Sequence, residues 1–376
     1  MILQHSTLTA VVAVLLLFLA NASALVAPWT TNFTQQEIDS GTVLADLNRK
    51  AYNNVLARLA DNTNNTARCT KENIKVRREW RSIPAEERIR YTDAVTCLQR
   101  TPPLYADVPG SKSMFDDFVV LHQRATNFIH SSATFFLWHR YYIWTYEKRL
   151  ETECGYNGTF PYWEWGHDTT DNLSSSPVFD GSPTSMGGDG APSRMGASPS
   201  SNVTTDLPAG NGGGCVTRGP FSNMTVHLGP HAMPSYGNVT AQNSATPEED
   251  NPRCLRRDLS AYPLRRWASF RNTTTLIRDN RDIEMFQAVA QGDSRYVDAG
   301  QLGIHGGGHY SLGGNPSSDV FLSPGDTAFY LHHGQMDRVY WIWQNLNWAN
   351  RQVSAAIPSY WQHLLLVPLS VAATDG

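Results

Sequence analysis

Six of the twelve histidines fall into two triplets along the chain, His122, His130 and His139 first and His305, His309 and His333 later. Each triplet sits in an apolar, aromatic-rich stretch. Three imidazoles suffice to hold a metal ion, and two triplets imply two ions. Neutral imidazole suits copper, iron, nickel and zinc, and a donor set without thiolate or carboxylate leans toward copper that changes oxidation state. A buried copper pair is a dioxygen site.

The elements that must position these rings can be read from apolar spacing. Phe115, Phe118, Val119 and His122 follow a helical period, so His122 lies on the inner face of a helix opening near Ser113 to Asp116. His130 falls in the turn behind it. His139 begins a second helix with the stripe Tyr142, Ile143, Tyr146 and Leu150, stopped at Cys154-Gly155. Phe329, His333, Met336, Tyr340 and Trp343 mark a late helix, with Asp326 placed to cap it. His305 and His309 are four apart, which points both rings the same way from one helix. Gly306, Gly307 and Gly308 lie between them, each costing about 1 kcal/mol in a helix interior. Metal ligation is the expected compensation.

With 376 residues, 41% of them apolar and 11% aromatic, the chain can bury roughly 75% of its unfolded surface in one large domain. The net charge of −4 and the scattered Lys and Arg residues leave no basic stripe, which argues against nucleic acid as a partner. Val11 to Ala20 is an apolar run too short to span a bilayer, and Ala22-Ser23-Ala24 supplies the small residues of a cleavage site. Residues 1–24 therefore read as a signal peptide and 25–376 as a single domain without a further membrane segment. Eight Asn-x-Ser/Thr sequons at Asn32, Asn64, Asn157, Asn172, Asn202, Asn223, Asn238 and Asn272 suit a secreted, extracellular glycoprotein. Cys69, Cys97, Cys154, Cys215 and Cys254 are widely spaced and favour disulfides over a zinc site. Five choices of the odd cysteine and three pairings of the rest stay open.

Gln35 to Arg100 reads as a polar-faced helical scaffold, and the two histidine blocks cover about 105–167 and 280–348. Thr169 to Asn251 between them is rich in Gly, Ser, Pro and Asn, which implies long surface loops. The tryptophans Trp138, Trp163, Trp165, Trp341 and Trp343 are expected in the core. His227 and His231 are also four apart, but Gly229 and Pro230 break the helix a metal pair would need.

At these residues the chain resembles a known family. His130-Ser-Ser-Ala-Thr-Phe135-Phe136-Leu137-Trp138-His139-Arg140, followed by Glu147, resembles the CuA signature of tyrosinases and catechol oxidases. Asp326-Thr-Ala-Phe329-Tyr-Leu-His332-His333-Gly-Gln-Met-Asp337-Arg338 resembles their CuB signature, and Pro161 to Trp165 is similar to the aromatic segment that follows CuA. The resemblance implies a mainly α protein, a four-helix bundle around a coupled pair of copper ions, with long irregular loops and few short strands. It implies CuA on His122, His130 and His139, CuB on His305, His309 and His333, O2 as co-substrate and small phenols as substrates. His333 is preferred over the adjacent His332 because Asp337 lies one turn along, where a carboxylate could orient the ring through its second nitrogen. His332 is then a neighbour of the site.

Two departures carry weight. Many relatives link a cysteine to the second CuA histidine through a thioether; here position 128 is Phe128 and no cysteine lies between Cys97 and Cys154. The chain also ends soon after the CuB helix, as in the short secreted fungal members that lack a C-terminal covering domain. A monomer or weak dimer is expected.

The proton acceptor sets the repertoire of such a site. In the family a glutamate and an asparagine near the CuB ligands hold a water as base for monophenols. Here Gly306 follows His305, and Gln301 stands at the nearest carboxylate position. A neutral amide holds water without accepting its proton, so o-diphenol oxidation to o-quinones with slow monophenol hydroxylation is expected. Gly306, Tyr310 and Val320 border CuB and are the candidate substrate contacts. The alternatives are a full tyrosinase, a hemocyanin-like O2 carrier, and a zinc hydrolase suggested only by His305 and His309.

Overall fold

Apolar period and end caps decide where the helices run. In this computed structural model residues 32–61, 70–169, 172–193, 207–233 and 243–351 are described. The expected signal peptide, Cys69 and the sequons at Asn64, Asn202 and Asn238 lie outside them. The helices are α1 Gln35–Asp39, α2 Thr42–Asp61, α3 Ala85–Leu98, α4 Met114–Ile129, α5 Phe135–Cys154, α6 Tyr262–Trp267, α7 Phe270–Asp279, α8 Ile283–Gln291, α9 Gly303–Leu312, α10 Ala328–Leu346 and α11 Trp348–Arg351.

The predicted start of α4 and end of α5 hold, but α5 opens at Phe135, one turn before the predicted start at His139. Ser113 caps α4, its hydroxyl accepting from the Asp116 amide at 3.2 Å, and α5 stops where Gly155 turns left-handed at φ 67°. The cap of α10 is subtler. Thr327 occupies the cap position, while the Asp326 carboxylate accepts from the Ala328 amide at 2.8 Å.

Helices α4, α5, α9 and α10 make the four-helix bundle that carries both histidine groups. Its seam is aromatic. Tyr330 of α10 stacks on Tyr146 of α5 at 3.5 Å between centroids, and Tyr340 on Phe136 at 4.7 Å. Such pairs add about 0.5–1.5 kcal/mol each beyond their burial. Helix α2 backs the bundle, burying Val43, Leu44, Leu47 and Ala51, and packs on α10. Of the tryptophans expected in the core, Trp163, Trp165 and Trp343 are buried and Trp138 and Trp341 half-buried.

Strands are short and paired. β1 Arg78–Glu79 runs parallel to β2 Pro161–Tyr162, β3 Gly190–Pro192 antiparallel to β4 Gly213–Val216, and β5 Thr225–Val226 antiparallel to β6 Arg253–Cys254. Disulfides join Cys97 to Cys154, tying the end of α3 to the end of α5, and Cys215 to Cys254.

The described parts of the stretch from Thr169 to Asn251 are largely irregular, as its composition predicts, but they are not a surface excursion. Val178, Phe179, Met186, Val216 and Leu228 are all buried. The organising group is Arg257, itself fully buried, whose guanidinium donates to the Met186 carbonyl at 2.7 Å and pairs with Asp326 at 2.6 and 2.8 Å. Backbone carbonyls of irregular chain thus find a cation inside instead of water outside. The same ion pair reaches the start of α10.

Candidate metal centre

Two groups of histidines could hold metal ions, His122 with His130 and His139, and His305 with His309, His332 and His333. In the first group the rings are set by main chain. Nδ1–H of His122 donates to the Phe321 carbonyl at 2.9 Å, that of His130 to Thr126 at 3.0 Å, and that of His139 to Phe135 at 2.8 Å. A proton on Nδ1 leaves Nε2 as a bare lone pair, the form that ligates a metal. The Nε2 atoms of His122 and His139 are buried without a partner, a cost that metal ligation removes.

The second group converges through Nε2. His309 Nε2 lies 3.1 Å from His305 Nε2 and 3.3 Å from His333 Nε2. His332 is fully buried beside them, 4.4 Å from the His309 ring between centroids, with neither nitrogen partnered. Burial depresses all seven imidazoles, His130 to about 4 and His309 to about 3, partly offset at His130 by the Thr126 carbonyl. Neutral nitrogens with no carboxylate or thiolate among them fit copper.

Phe329 and Phe135 wedge between the two groups. Phe329 lies 4.1 Å from His333 and 5.5 Å from His122, and Phe135 lies 4.7 Å from His139 and 4.8 Å from His305. Both belong to the signature stretches, but nothing in their spacing announces the wedge.

Asp337 does not orient His333. Its carboxylate is taken by Arg77 at 2.5 Å and by Arg140, and His333 Nδ1 has no partner. Two guanidiniums outbid a neutral imidazole for a carboxylate. The glycine run of α9 also has a steric cause beyond ligation. A Cβ on Gly307 would come 3.1 Å from Trp267 and 3.2 Å from Ala268, and one on Gly308 would enter the His332 ring.

A cavity of about 410 Å³ opens onto His130, His305 and His309. Gln301, Gly306, Tyr310 and Val320 all line it. Its remaining walls include Gln291 and four serines, Ser294, Ser317, Ser318 and Ser323, and no carboxylate is among the described lining residues. His227 and His231 diverge as loop residues, the first pairing with Asp250 at 2.8 Å and the second lying over Phe321 at 4.0 Å.

Sequence reasoning missed Phe321, whose carbonyl orients His122, and the side chains that grip the His130 turn. Ser131 there has φ 48°, the one positive value at a non-glycine residue among the described residues. Among the described residues no helix is long and apolar enough to cross a membrane.

The family described as "Common central domain of tyrosinase" matches residues 112–346. Tyrosinase-like protein orsC of Emericella nidulans is 37% identical over 299 residues, 76% of this chain and 78% of that one. An N-acetyl-6-hydroxytryptophan oxidase of the same organism is 38% identical over 286 residues, 73% and 76% of the two chains. The solved structure of a polyphenol oxidase from Thermothelomyces thermophila, a glycine-to-asparagine mutant, is similar at TM-score 0.74 and 40% identity, covering 81% of this chain and 80% of that one. The two buried histidine groups and these matches agree, and the chain belongs to the tyrosinase family of binuclear copper oxidoreductases.

Proposed function

We propose that this enzyme oxidises o-diphenols to o-quinones with O2 and hydroxylates monophenols slowly. The observation that carries the reading is that no carboxylate is among the described residues lining the cavity over His130, His305 and His309. One ion is assigned to His122, His130 and His139 and the other to His305, His309 and His333, the latter chosen over His332 because its Nε2 meets that of His309 at 3.3 Å. Bound copper would supply the reduction of O2 to water, with two electrons taken from each of two diphenols.

The chain's own residues bind and orient the ring. Gly306 leaves room beside His305, Tyr310 offers an edge or a hydroxyl, and Val320 is exposed at the wall. Gln301 can hold a water there, but a neutral amide does not accept its proton. A monophenol must lose its proton to bind as phenolate, and without a base that step is slow.

The test is oxygen uptake on catechol, tyrosine and a hydroxyindole, the last chosen because a relative is named for oxidising one. Rapid uptake on catechol with a lag on tyrosine is expected. A lag-free tyrosine rate matching catechol supports the full tyrosinase instead. Reversible oxygenation without turnover of catechol supports the carrier.

The leader at 1–24, the sequons and the two disulfides support passage through the secretory route, with the mature chain starting near Leu25. N-terminal sequencing and the mass lost on deglycosylation test this.

A further inference from the structure

Helix α8 and the residues after it reach across to the turn that carries His130. Gln291 Oε1 accepts from the Ser131 amide at 2.8 Å, and the Arg295 guanidinium donates to the Ser131 carbonyl at 2.6 Å. One turn earlier Gln287, with its amide nitrogen facing the turn, donates to the Ser132 and Ala133 carbonyls at 3.2 and 3.0 Å. The three gripping residues are spaced four apart, 287, 291 and 295. Each hydrogen-bonds main chain between His130 and the start of α5.

What they hold is a strained backbone. Ser131 at φ 48° occupies the left-handed region that side-chain-bearing residues avoid. Such a conformation persists where its surroundings over-determine it, and such strain clusters at functional sites. Here both polar groups of the strained residue are fixed by side chains of a different element. The preceding residue is His130, whose ring hydrogen-bonds the Thr126 carbonyl and packs against Phe135 and the neighbouring histidines.

The other end of the grip is firm. Arg295 is held by Asp293, Nε to Oδ1 at 2.9 Å and Nη2 to Oδ2 at 2.5 Å. Gly292, closing α8 in the left-handed region, packs against the Gln301 carbonyl and Leu302, the residues that lead into α9 and His305. One short stretch therefore braces the approach to both histidine groups.

We propose that Gln287, Gln291 and Arg295 are positioning residues that clamp the 131–133 turn and hold His130 on its metal, in a chain with Phe128 and no cysteine between Cys97 and Cys154. The clamp rests on His130 being a copper ligand, as assigned above. Releasing it frees the turn to relax and swings His130 off the ion, while the bundle keeps its packing.

The experiment uses copper-loaded protein challenged with EDTA. The Gln291→Ala, Arg295→Ala double variant is expected to lose one of two copper ions about 10- to 100-fold faster than wild type, the range typical of lost ligand-orienting partners. The Gln291→Glu, Arg295→Lys variant, which keeps an acceptor and a donor, restores wild-type retention. The melting temperature of the metal-free double-alanine variant stays at the wild-type value. Wild-type retention with only a raised KM overturns the clamp and leaves Gln291 a cavity wall. Loss of both ions together with a fall in melting temperature overturns it too. His130→Ala separates the two readings, because two ions retained there would refute the ligand assignment on which the clamp rests, whereas one ion there with wild-type retention in the double-alanine variant refutes the clamp alone.

Discussion

His139 of α5 and His333 of α10 lie ring over ring, 4.5 Å between centroids and 14° from parallel. The two histidine groups thus meet through stacked imidazoles on neighbouring helices. Phe136 on Tyr340 and Arg140 on Asp337 fasten the same two helices to either side. Neither group can shift along this seam without moving the other.

Replacing His333 with alanine should remove one copper ion per chain, whereas His332→Ala should leave two. The Nε2 contact of His333 with His309 motivates the difference. Metal analysis of both purified variants decides it, and a one-copper His332→Ala protein would reverse the assignment.

Gly308→Ala should destabilise the fold, because the added methyl enters the His332 ring. Overpacking of this kind costs about 1–3 kcal/mol, a fall of several degrees in Tm. Combining it with His332→Ala should return part of the loss, the signature of coupled neighbours. Additive losses in a thermal melt would show that the two do not compete for space.

Asp326→Asn should cost about 3–5 kcal/mol by leaving the buried Arg257 charge uncompensated. Burial raises the Asp326 carboxyl, but Arg257 more than reverses this and holds it below the ordinary 3.8. A depressed carboxylate stabilises fully above the unfolded value and loses that contribution as pH falls through the folded one. The Tm gap between wild type and variant should hold steady from about pH 7 to 5 and narrow below about pH 4. A gap independent of acidity would remove the pair from the stability argument.

Gly306→Asn should raise the tyrosine rate relative to catechol by placing an amide at the cavity wall over His305. The new Cβ would come 2.9 Å from that of Leu302, so a small stability cost accompanies it. An unchanged ratio of the two initial rates is the outcome that removes Gly306 from control of the repertoire.

The helices were legible where a single stripe did two jobs. Phe115 to His122 and Phe329 to Trp343 announce both a helix and its inner face, and the ligating rings sit on those faces. What stayed hidden depends on long-range partners. Asp337 stands one turn from His333, but spacing could not reveal that Arg77, 260 residues away, would claim it. Phe179 and Met186 look like isolated apolar residues among loop formers until Arg257 arrives from another part of the chain. The glycines of α9 look like a helix defect until Trp267 and His332 are set against them.

The first histidine group takes its orientation from the carbonyls of Phe321, Thr126 and Phe135. Carbonyls belong to every residue, so no substitution can delete these acceptors. Sequence drift at positions 126, 135 and 321 can alter packing, yet the hydrogen-bond partners survive any change of side chain that keeps the backbone in place. Evolution can therefore retune these three hydrogen bonds only by changing a histidine or by moving the backbone that faces it.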